Sequence, residues 1–330
     1  MTDVAVGTVR DQTSHSSKLV TLVAVVVPPL GLLSAAGVLW GVALSWVDVV
    51  LFVALYTACG LGVTVGYHRL FTHRSFETTA WIRATLAVLG AMSTQGPVTQ
   101  WVTDHRKHHA LSDRDGDPHS PHAGHGDGWR ARVKGFAHAH VTWLFRTKGM
   151  ERGVHYGRDI YADPVLRTVD RLYPVWVTLT FALPFAVGYL AGGLSVAAGA
   201  QALVWAGLIR VFAYQHATFS VNSICHMFGR RAYRARDESR NNWIVAALTF
   251  GEGRHNNHHA FPSSARHGLD RLQLDVAWWT IRGLQRVGLA WDVKVPDDER
   301  RRRRRLGETE RARTGAPGEA DALGQSVHIL

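Results

Sequence analysis

Four long apolar stretches constrain the fold of this 330-residue chain more than any other feature. They lie at residues 19–40, 48–66, 174–192 and 196–221. A helix needs about 20 mostly apolar residues to cross a bilayer, and each stretch is close to that length. The sequence therefore predicts an all-α integral membrane protein with four transmembrane helices in two pairs.

Lys and Arg are distributed unevenly between the two sides that these helices define. The loop at 67–173 holds fifteen of them and the part from residue 222 holds many more, whereas the short links at 41–47 and 193–195 hold none. Because basic residues stay on the cytoplasmic side of a membrane, both termini and the loop are predicted to be cytoplasmic. Membrane orientation thereby explains the net charge of +11. We expect no nucleic-acid partner, which would need a basic face with aromatics on a soluble domain.

Composition divides the chain into three segments. Residues 1–17 are polar and expected to be disordered, 18–296 form one membrane domain, and 297–330 form a charged tail that is also expected to be disordered. Within the membrane domain, 79–95 is apolar but interrupted by an arginine, so we expect it to lie at the interface or dip into the membrane. The stretch 275–291 has apolar residues at helical spacing with arginines between them, which favours an amphipathic helix at the headgroups.

Residue usage also bears on the compartment. Arg outnumbers Lys by 32 to 5, as is typical of GC-rich bacterial genomes, so we expect a bacterial plasma membrane. The apolar run that starts at residue 19 is long and its leading tail has little net charge, so we expect a retained first span and not a cleaved signal peptide. The two cysteines, Cys59 and Cys225, form no CxxC pair, so neither a disulfide framework nor a thiolate cluster is expected.

The most informative of the nineteen histidines fall in short clusters. These are HRLFTH (His68, His73), HRKHH (His105, His108, His109) and HNNHH (His255, His258, His259), joined by NSICH with Asn222 and His226. Side chains three and four apart lie on one face of a helix, so each HxxHH pattern points several imidazoles into one volume. Nine neutral imidazoles are more than one ion needs, and two ions with open positions account for the number. Imidazole suits Zn, Cu, Fe and Ni alike, so the metal is open at this point.

The other histidines are less informative. We expect a surface or hydrogen-bonded core position for His15, His138, His140, His155 and His328. The Gly/Asp loop at 112–128 holds His119, His122 and His125, which we expect to be solvated rather than a ligand set. His216 lies within an apolar stretch, where an ionisable residue is either functional or a neutral core group, and the role of His267 is open.

These clusters resemble the three histidine boxes of the integral-membrane fatty acyl desaturases, in particular the stearoyl-CoA Δ9 type. NSICH resembles a fourth element that supplies the ninth histidine, and GEGRHNNHHAFP (251–262) matches the surroundings of the third box. The resemblance covers about residues 50–265 and implies four spans below a cytoplasmic helical cap that carries all boxes. It implies a di-iron centre with all nine clustered histidines as ligands and Asn222 holding a water.

The resemblance also implies substrate-binding residues. Gln95, Trp101 and Thr218 stand where the family shapes a bend in its acyl tunnel, while Asp104, Arg146 and Lys148 stand near positions that meet CoA. Two positions depart from the pattern. Phe219 stands where animal relatives usually have Trp, and Thr103 replaces an Arg associated with the CoA head.

The implied reaction explains the metal. Removing two hydrogens from adjacent unactivated methylenes is beyond acid–base chemistry, and redox-inert zinc cannot make the O₂-derived oxidant that is needed. The expected products are a cis double bond and water, with two electrons from the acyl-CoA substrate and two from an external donor. Since no haem-binding or ferredoxin-like segment is visible, the donor is expected to be a ferredoxin, a rubredoxin or a b-type cytochrome with its reductase. The tail at Arg300 to Arg305 either attracts an acidic donor or anionic lipids, or is simply solvated.

Two other functions compete with desaturation. Hydroxylases and alkane monooxygenases of related membrane families also use histidine boxes, although GEGRHNNHH and NSICH favour desaturation. A membrane metal carrier would place its ligands within its spans, whereas these boxes lie outside them. Acyl chain length, double-bond position, and the choice among CoA, carrier-protein and lipid head groups are left open by the residues themselves.

Overall fold

The computed structural model describes residues 44–146 and 153–307, together with five separate positions between 22 and 33. Three predicted features therefore lie outside the described residues: the 1–17 tail, nearly all of the first predicted span, and Lys148. Residues 308–330 of the predicted charged tail lie outside them as well.

The described part is built almost wholly from helices. In chain order these are α1 (Trp46–Leu61), α2 (Ala80–Ala91), α3 (Val98–Leu111), α4 (Trp129–Ala137), α5 (Trp143–Arg146), α6 (Gly153–Tyr156), α7 (Arg158–Ala162), α8 (Pro164–Arg171), α9 (Tyr173–Ala191), α10 (Val196–Ala202), α11 (Arg210–Met227), α12 (Trp243–Leu248), α13 (His255–Ala260), α14 (Val276–Arg286) and α15 (Asp298–Arg304). Wider π-helical turns continue α1 (Gly62–Thr72), join α4 to α5 (His138–Thr142) and join α10 to α11 (Leu203–Ile209). Two short strands, β1 (Glu77–Thr78) and β2 (Ala290–Trp291), pair antiparallel, with Glu77 opposite Trp291.

Among the residues that the structure describes, three continuous helices are long and apolar enough to cross a membrane. They are Trp46–Thr72, Tyr173–Ala191 and Val196–Met227, and they contain or coincide with the predicted spans at 48–66, 174–192 and 196–221. The first runs for 27 residues, about 40 Å at 1.5 Å per residue, which exceeds the roughly 30 Å hydrocarbon core. Its last turns therefore extend beyond the apolar region, and they carry His68.

Helix α2 is apolar but shorter than a membrane span. It has 12 residues, about 18 Å of helix, which is too short for a span. It packs tightly on the π-helical end of the first span, where a Cβ on Gly62 would lie 2.3 Å from the Gly90 nitrogen. Two glycines thus bring the backbones together, in keeping with the expectation that 79–95 does not form a fifth span.

Helix α14 corresponds to the predicted amphipathic stretch. Ala277 and Ile281 are buried against the π-helical end of the first span, whereas Trp279 is 57% exposed. The Arg282 guanidinium lies 5.5 Å from the Trp278 ring centroid. The amphipathic pattern is confirmed, and contact with headgroups stays a prediction.

The charged tail begins with an ordered helix. Asp297 caps α15 by accepting a hydrogen bond from the Arg300 backbone at 2.7 Å. Arg301 donates to the Leu269 carbonyl at 2.6 Å, and Arg304 donates to the Ala260 carbonyl at the end of α13. The expected disorder from residue 297 is therefore wrong for residues 298–304. The side chains of Arg301 and Arg304 hydrogen-bond to backbone carbonyls that would otherwise be unpaired.

Candidate metal centre

The nine histidines of the four sequence elements come together in two adjacent groups. One group has five members, His68, His73, His105, His109 and His258, and the other has four, His108, His226, His255 and His259. Within each group the candidate ligand nitrogens all lie within 4.8 Å of one another. Every histidine that the resemblance implies as a ligand belongs to one group, and each HxxHH cluster contributes to both.

The spacing of the ring nitrogens is that of ligands around an ion. In the five-histidine group, Nε2 of His258 lies 3.1 Å from Nε2 of His68 and 2.9 Å from Nε2 of His109. In the four-histidine group, the Nε2 atoms of His226 and His255 are 3.0 Å apart. Nitrogens bonded at about 2.1 Å to one ion, and at right angles to each other, lie about 3 Å apart.

Unpartnered nitrogens test whether these residues fit a metal. Nε2 of His73, His108 and His259 is buried and has no hydrogen-bond partner in the part of the chain that the structure describes. Buried polar groups are normally paired, so imidazoles in this arrangement would forfeit hydrogen bonds without an ion. The donor set of nine imidazoles suits redox metals such as iron, and the residues present therefore fit a dimetal centre.

Carboxylates support four of the nine imidazoles. Nδ1 of His108 contacts Asp117 at 3.0 Å, Nδ1 of His226 contacts Asp113 at 2.9 Å, and Nδ1 of His259 contacts Asp237 at 2.6 Å. Nδ1 of His68 lies 2.6 Å from Glu252 Oε2. An ionised carboxylate only accepts hydrogen bonds, so each Nδ1 carries the proton and each Nε2 keeps its lone pair for a metal.

Three of the imidazoles and one carboxylate are held in the states that metal binding needs. Burial, reinforced by neighbouring imidazoles, lowers the pKa of His255 and His258 well below its ordinary value. Burial also lowers the pKa of His259, to about 4. Burial opposes ionisation of Asp237, but the His259 imidazole outweighs it and keeps the pKa of that carboxyl below its usual range. Neutral imidazoles beside ionised carboxylates are the form that binds a cation.

The two asparagines of HNNHH fix the helix that carries the third box. The Asn256 side chain accepts hydrogen bonds from the backbone of Ala232 at 2.7 Å and Tyr233 at 2.8 Å. The Asn257 side chain donates to the His267 carbonyl at 2.8 Å. Both asparagines are at most 1% exposed, so they orient α13 through hydrogen bonds made inside the protein.

A buried arginine ties the first box to the third. Arg69 is fully buried and lies 3.1 Å from Glu252 Oε1 and 2.9 Å from Asp275 Oδ1. Asp275 in turn accepts hydrogen bonds from the backbone of His267 at 2.6 Å. Gly251 has φ of +120°, and a Cβ there would lie 2.6 Å from Asp275 Oδ1, so glycine lets the GEG turn pass close to this carboxylate.

Several residues near the metal centre escaped the sequence analysis. They are Asp113, Asp117, Asp237, Glu252, His119 and His267. The expectation that His119 is solvated is wrong, since this side chain is 4% exposed and its ring centroid lies 4.3 Å from that of His108. For Asp113, Asp117 and His119 the available sequence signal was the density of Asp and His just after the second box.

The other histidines mostly make structural contacts. His122 bonds the His226 carbonyl at 2.9 Å, and His138 bonds the Pro118 carbonyl at 3.2 Å. The rings of His140 and His216 approach at 3.0 Å between Nε2 and Nδ1, which links α11 to the π-helical turn His138–Thr142. These contacts agree with a hydrogen-bonded core position for His138 and His140.

Two of the expected tunnel residues form a direct contact. Gln95 donates a hydrogen bond from Nε2 to Thr218 Oγ1 at 3.0 Å, across 123 residues of sequence. Trp101 stacks on His105 with ring centroids 4.9 Å apart and an interplanar angle of 18°. Phe219 is buried and packs with Trp143. The tryptophan therefore lies beside the five-histidine group.

The remaining expected site residues are placed less closely. Asn222 is half-buried on α11, one turn before His226, so its side chain lies on the same helix face as that histidine. Asp104 is buried on α3. Arg146 is exposed at the end of α5, and Lys148 lies outside the described residues. Their roles as a water ligand and as head-group contacts stay predictions.

Comparison with known proteins gives a consistent family assignment. The model of the fatty acid desaturase family matches residues 44–286. The chain is 40% identical over 266 residues to "Delta-9 acyl-lipid desaturase 1" of Arabidopsis thaliana, which covers 78% of this chain and 79% of that protein. It is 39% identical over 272 residues to "Hex-5-enoyl-[acyl-carrier protein] acetylenase" of Moorena producens (strain JHB), covering 82% and 84%. It is 38% identical over 263 residues to "Acyl-CoA 5-desaturase AL21" of Anemone leveillei, covering 78% and 75%.

Proposed function

Because this chain belongs to the fatty acid desaturase family, we propose that it is an O₂-dependent desaturase that introduces a cis double bond into a saturated fatty acyl chain. The observation that carries the proposal is the convergence of nine imidazoles into groups of five and four. That division provides for two ions rather than one. A double bond requires removal of two hydrogens from adjacent carbons, and a dimetal centre is suited to this two-electron oxidation.

The residues of the chain would hold the ions and keep the ligands oriented. When bound, two redox-active iron ions supply the oxidising power of O₂, with electrons from an external donor. Asp113, Asp117 and Asp237 each hold the Nδ1 proton of one imidazole, so Nε2 faces the ion. Since outer hydrogen bonds of this kind raise ligand basicity and fix ring orientation, they support the proposal that both groups bind metal.

The position of the new double bond would be set by the wall of the acyl site. The Gln95–Thr218 hydrogen bond joins the segment before α3 to α11, and Trp101 lies flat against His105. An apolar chain has no polar handle, so a bend at this point selects one carbon by its distance from an anchored head group. We propose that these three residues form that bend.

We propose Δ9 acyl-CoA as the substrate, and each half of this assignment has its own support. The Δ9 position is that of the Arabidopsis relative by its name. For the head group, the chain offers the exposed Arg146 and the nearby Lys148, which suit CoA phosphates. The relatives are named for acyl-lipid, acyl-carrier-protein and acyl-CoA substrates, so all three head groups belong in the assay.

The membrane location and electron supply complete the proposal. Three apolar helices of spanning length support an integral membrane enzyme. We propose that the metal centre and both termini face the cytoplasm of a bacterium, because the basic loops lie on that side. A ferredoxin, a rubredoxin or a b-type cytochrome with its reductase would deliver two electrons per turnover.

Expression in cells that lack their own desaturase tests the proposal. Fatty acids are analysed by mass spectrometry with localisation of the double bond. A product that has lost two hydrogens at carbons 9 and 10 supports it, whereas a product that has gained oxygen assigns the chain to the hydroxylase alternative. His258→Ala, in the middle of the five-histidine group, should abolish the product, and His155→Ala, at an exposed position, is the matched control.

Purified enzyme then separates the head groups. Stearoyl-CoA, stearoyl-carrier protein and a stearoyl-lipid are supplied with the same donor, and Arg146→Gln is compared with wild type on each. If Arg146 binds CoA, its replacement raises KM for the CoA substrate alone. Equal turnover of all three substrates, with no effect of the variant, would refute the CoA assignment and leave desaturation standing.

A further inference from the structure

Glu252 lies between two imidazoles, only one of which belongs to the nine candidate ligands. Its Oε2 atom is 2.6 Å from Nδ1 of His68 and 3.4 Å from Nδ1 of His267. Its Oε1 atom accepts from the Thr64 hydroxyl and lies 3.1 Å from the Arg69 guanidinium. The carboxylate therefore has one oxygen held by a fixed hydroxyl and a fixed cation, while the other faces Nδ1 of two histidines.

His267 is held in place from both sides of its backbone. Its N–H donates to Asp275 Oδ2 at 2.6 Å, and its carbonyl accepts from the Asn257 side chain at 2.8 Å. Asp275 contacts the same Arg69 that reaches Glu252, and Asn257 belongs to the third histidine box. The side chain of His267 is 0% exposed. These contacts leave its imidazole fixed against Glu252 and against the ring of His258, 4.5 Å away between centroids.

The direction of the protons follows from the carboxylate. Because ionised Glu252 only accepts, Nδ1 is the protonated nitrogen of His68, 2.6 Å from Oε2, and His68 presents Nε2 to the five-histidine group. Nδ1 of His267 faces the same oxygen at 3.4 Å, as a close polar contact and not as a formed hydrogen bond. We propose that His267 is a positioning residue that holds Glu252 against His68, and thereby keeps His68 in the orientation and tautomer that bind the ion. This inference rests on the proposed function, since it takes His68 to be a metal ligand.

A similar triple, which includes one member of the four-histidine group, serves as an internal comparison. His108, Asp117 and His119 lie together, but Nδ1 of His119 is 4.0 Å from Asp117 Oδ1, farther than the 3.4 Å between Nδ1 of His267 and Glu252 Oε2. Asp117 is already held by backbone N–H groups of Asp113 at 2.9 Å and His119 at 3.1 Å. The imidazole of His119 should therefore matter less to its carboxylate than that of His267.

Iron retention tests the proposal without relying on desaturation. Wild type, His267→Leu, His267→Asn, His267→Gln and His119→Leu are purified as full chains and loaded with Fe(II), and iron release to a chelator is followed. Outer partners of ligating histidines contribute about 10–100-fold to metal affinity, so His267→Leu should release half of its iron about 10-fold faster than wild type. His267→Asn keeps an N–H near the place of Nδ1 and should retain iron, whereas His267→Gln places its N–H farther out and should behave like His267→Leu.

The outcomes separate positioning from simple structural support. Thermal unfolding of the metal-free proteins reports any general loss of stability, and if His267→Leu does not fold, the Asn and Gln variants decide between the two possibilities. Equal release rates for the Asn and Gln variants, or for wild type and His267→Leu, would overturn the positioning role. Release of both irons from His267→Leu at one common rate would overturn the positioning role as well. A wild-type protein that binds two irons but forms no unsaturated product would reject desaturation and leave the role of His267 intact.

Discussion

Replacing Asp237 by Asn removes one carboxylate from the metal centre with almost no change of volume. Asp237 Oδ2 lies 2.6 Å from Nδ1 of His259, and the two side chains are 7% and 1% exposed. A hydrogen bond to a charged group contributes about 1.5–3 kcal/mol. Since about 1.4 kcal/mol corresponds to a tenfold change in an equilibrium constant, Asp237→Asn should weaken iron binding at the four-histidine group by about 10–100-fold.

Calorimetric titration of Fe(II) into the metal-free protein measures this effect. Wild type should bind two ions tightly, and Asp237→Asn should keep one tight ion and hold the other more weakly. The neighbouring Glu238→Gln is the matched control, because the Glu238 side chain contacts only arginines, Arg231 at 3.3 Å and Arg240 at 3.4 Å, among the contacts that the structure describes. If both variants bind iron as wild type does, the carboxylate does not orient His259 and the reasoning about tautomers fails.

Three further predictions concern the acyl site and the cap. Trp101→Ala opens the wall beside His105 and should scatter the double-bond position or abolish activity, so a single unchanged product would reject the proposed bend. Gln95→Leu and Thr218→Val each remove one end of the same 3.0 Å hydrogen bond. Product analysis of the double variant should therefore show no greater change in double-bond position than either single variant, and additive changes in that position would contradict this. Arg69→Met leaves Glu252 without its buried cation, so denaturant unfolding should show a free energy of unfolding lower by about 3–5 kcal/mol. A decrease of under about 1 kcal/mol would show that the ion pairs contribute little.

The membrane helices could be predicted because length and apolarity are local properties. The helices Tyr173–Ala191 and Val196–Met227 begin and end within a few residues of what hydropathy indicates, except that the last helix extends to carry His226. Hydropathy does not reveal that the first described span continues to Thr72, because its final turns are polar on one face. Their helical structure depends on packing against α2 and α14, which are distant in sequence.

The nine candidate ligands could be predicted because helical spacing is local as well. In HxxHH the three imidazoles lie within one turn and a half, and the structure divides each such cluster between the two groups, with His108 separated from His105 and His109, and His258 separated from His255 and His259. Counting imidazoles gives two ions, but it does not reveal this division. The division depends on how α3 faces α13, which is a property of tertiary packing.

The supporting carboxylates could not be assigned for a different physical reason. Ligating imidazoles generally donate their second N–H to an acceptor, so nine histidines imply acceptors somewhere in the chain without naming them. The acceptor of His226 is Asp113, 113 residues away, and the acceptor of His68 is Glu252, 184 residues away. Spacing on one helix carries no information about such pairs. The polar surroundings of Asp113 in the sequence predict a solvated Gly/Asp loop. In the structure this loop packs against the buried metal centre instead, and its carboxylates hydrogen-bond to the candidate ligands His226 and His108.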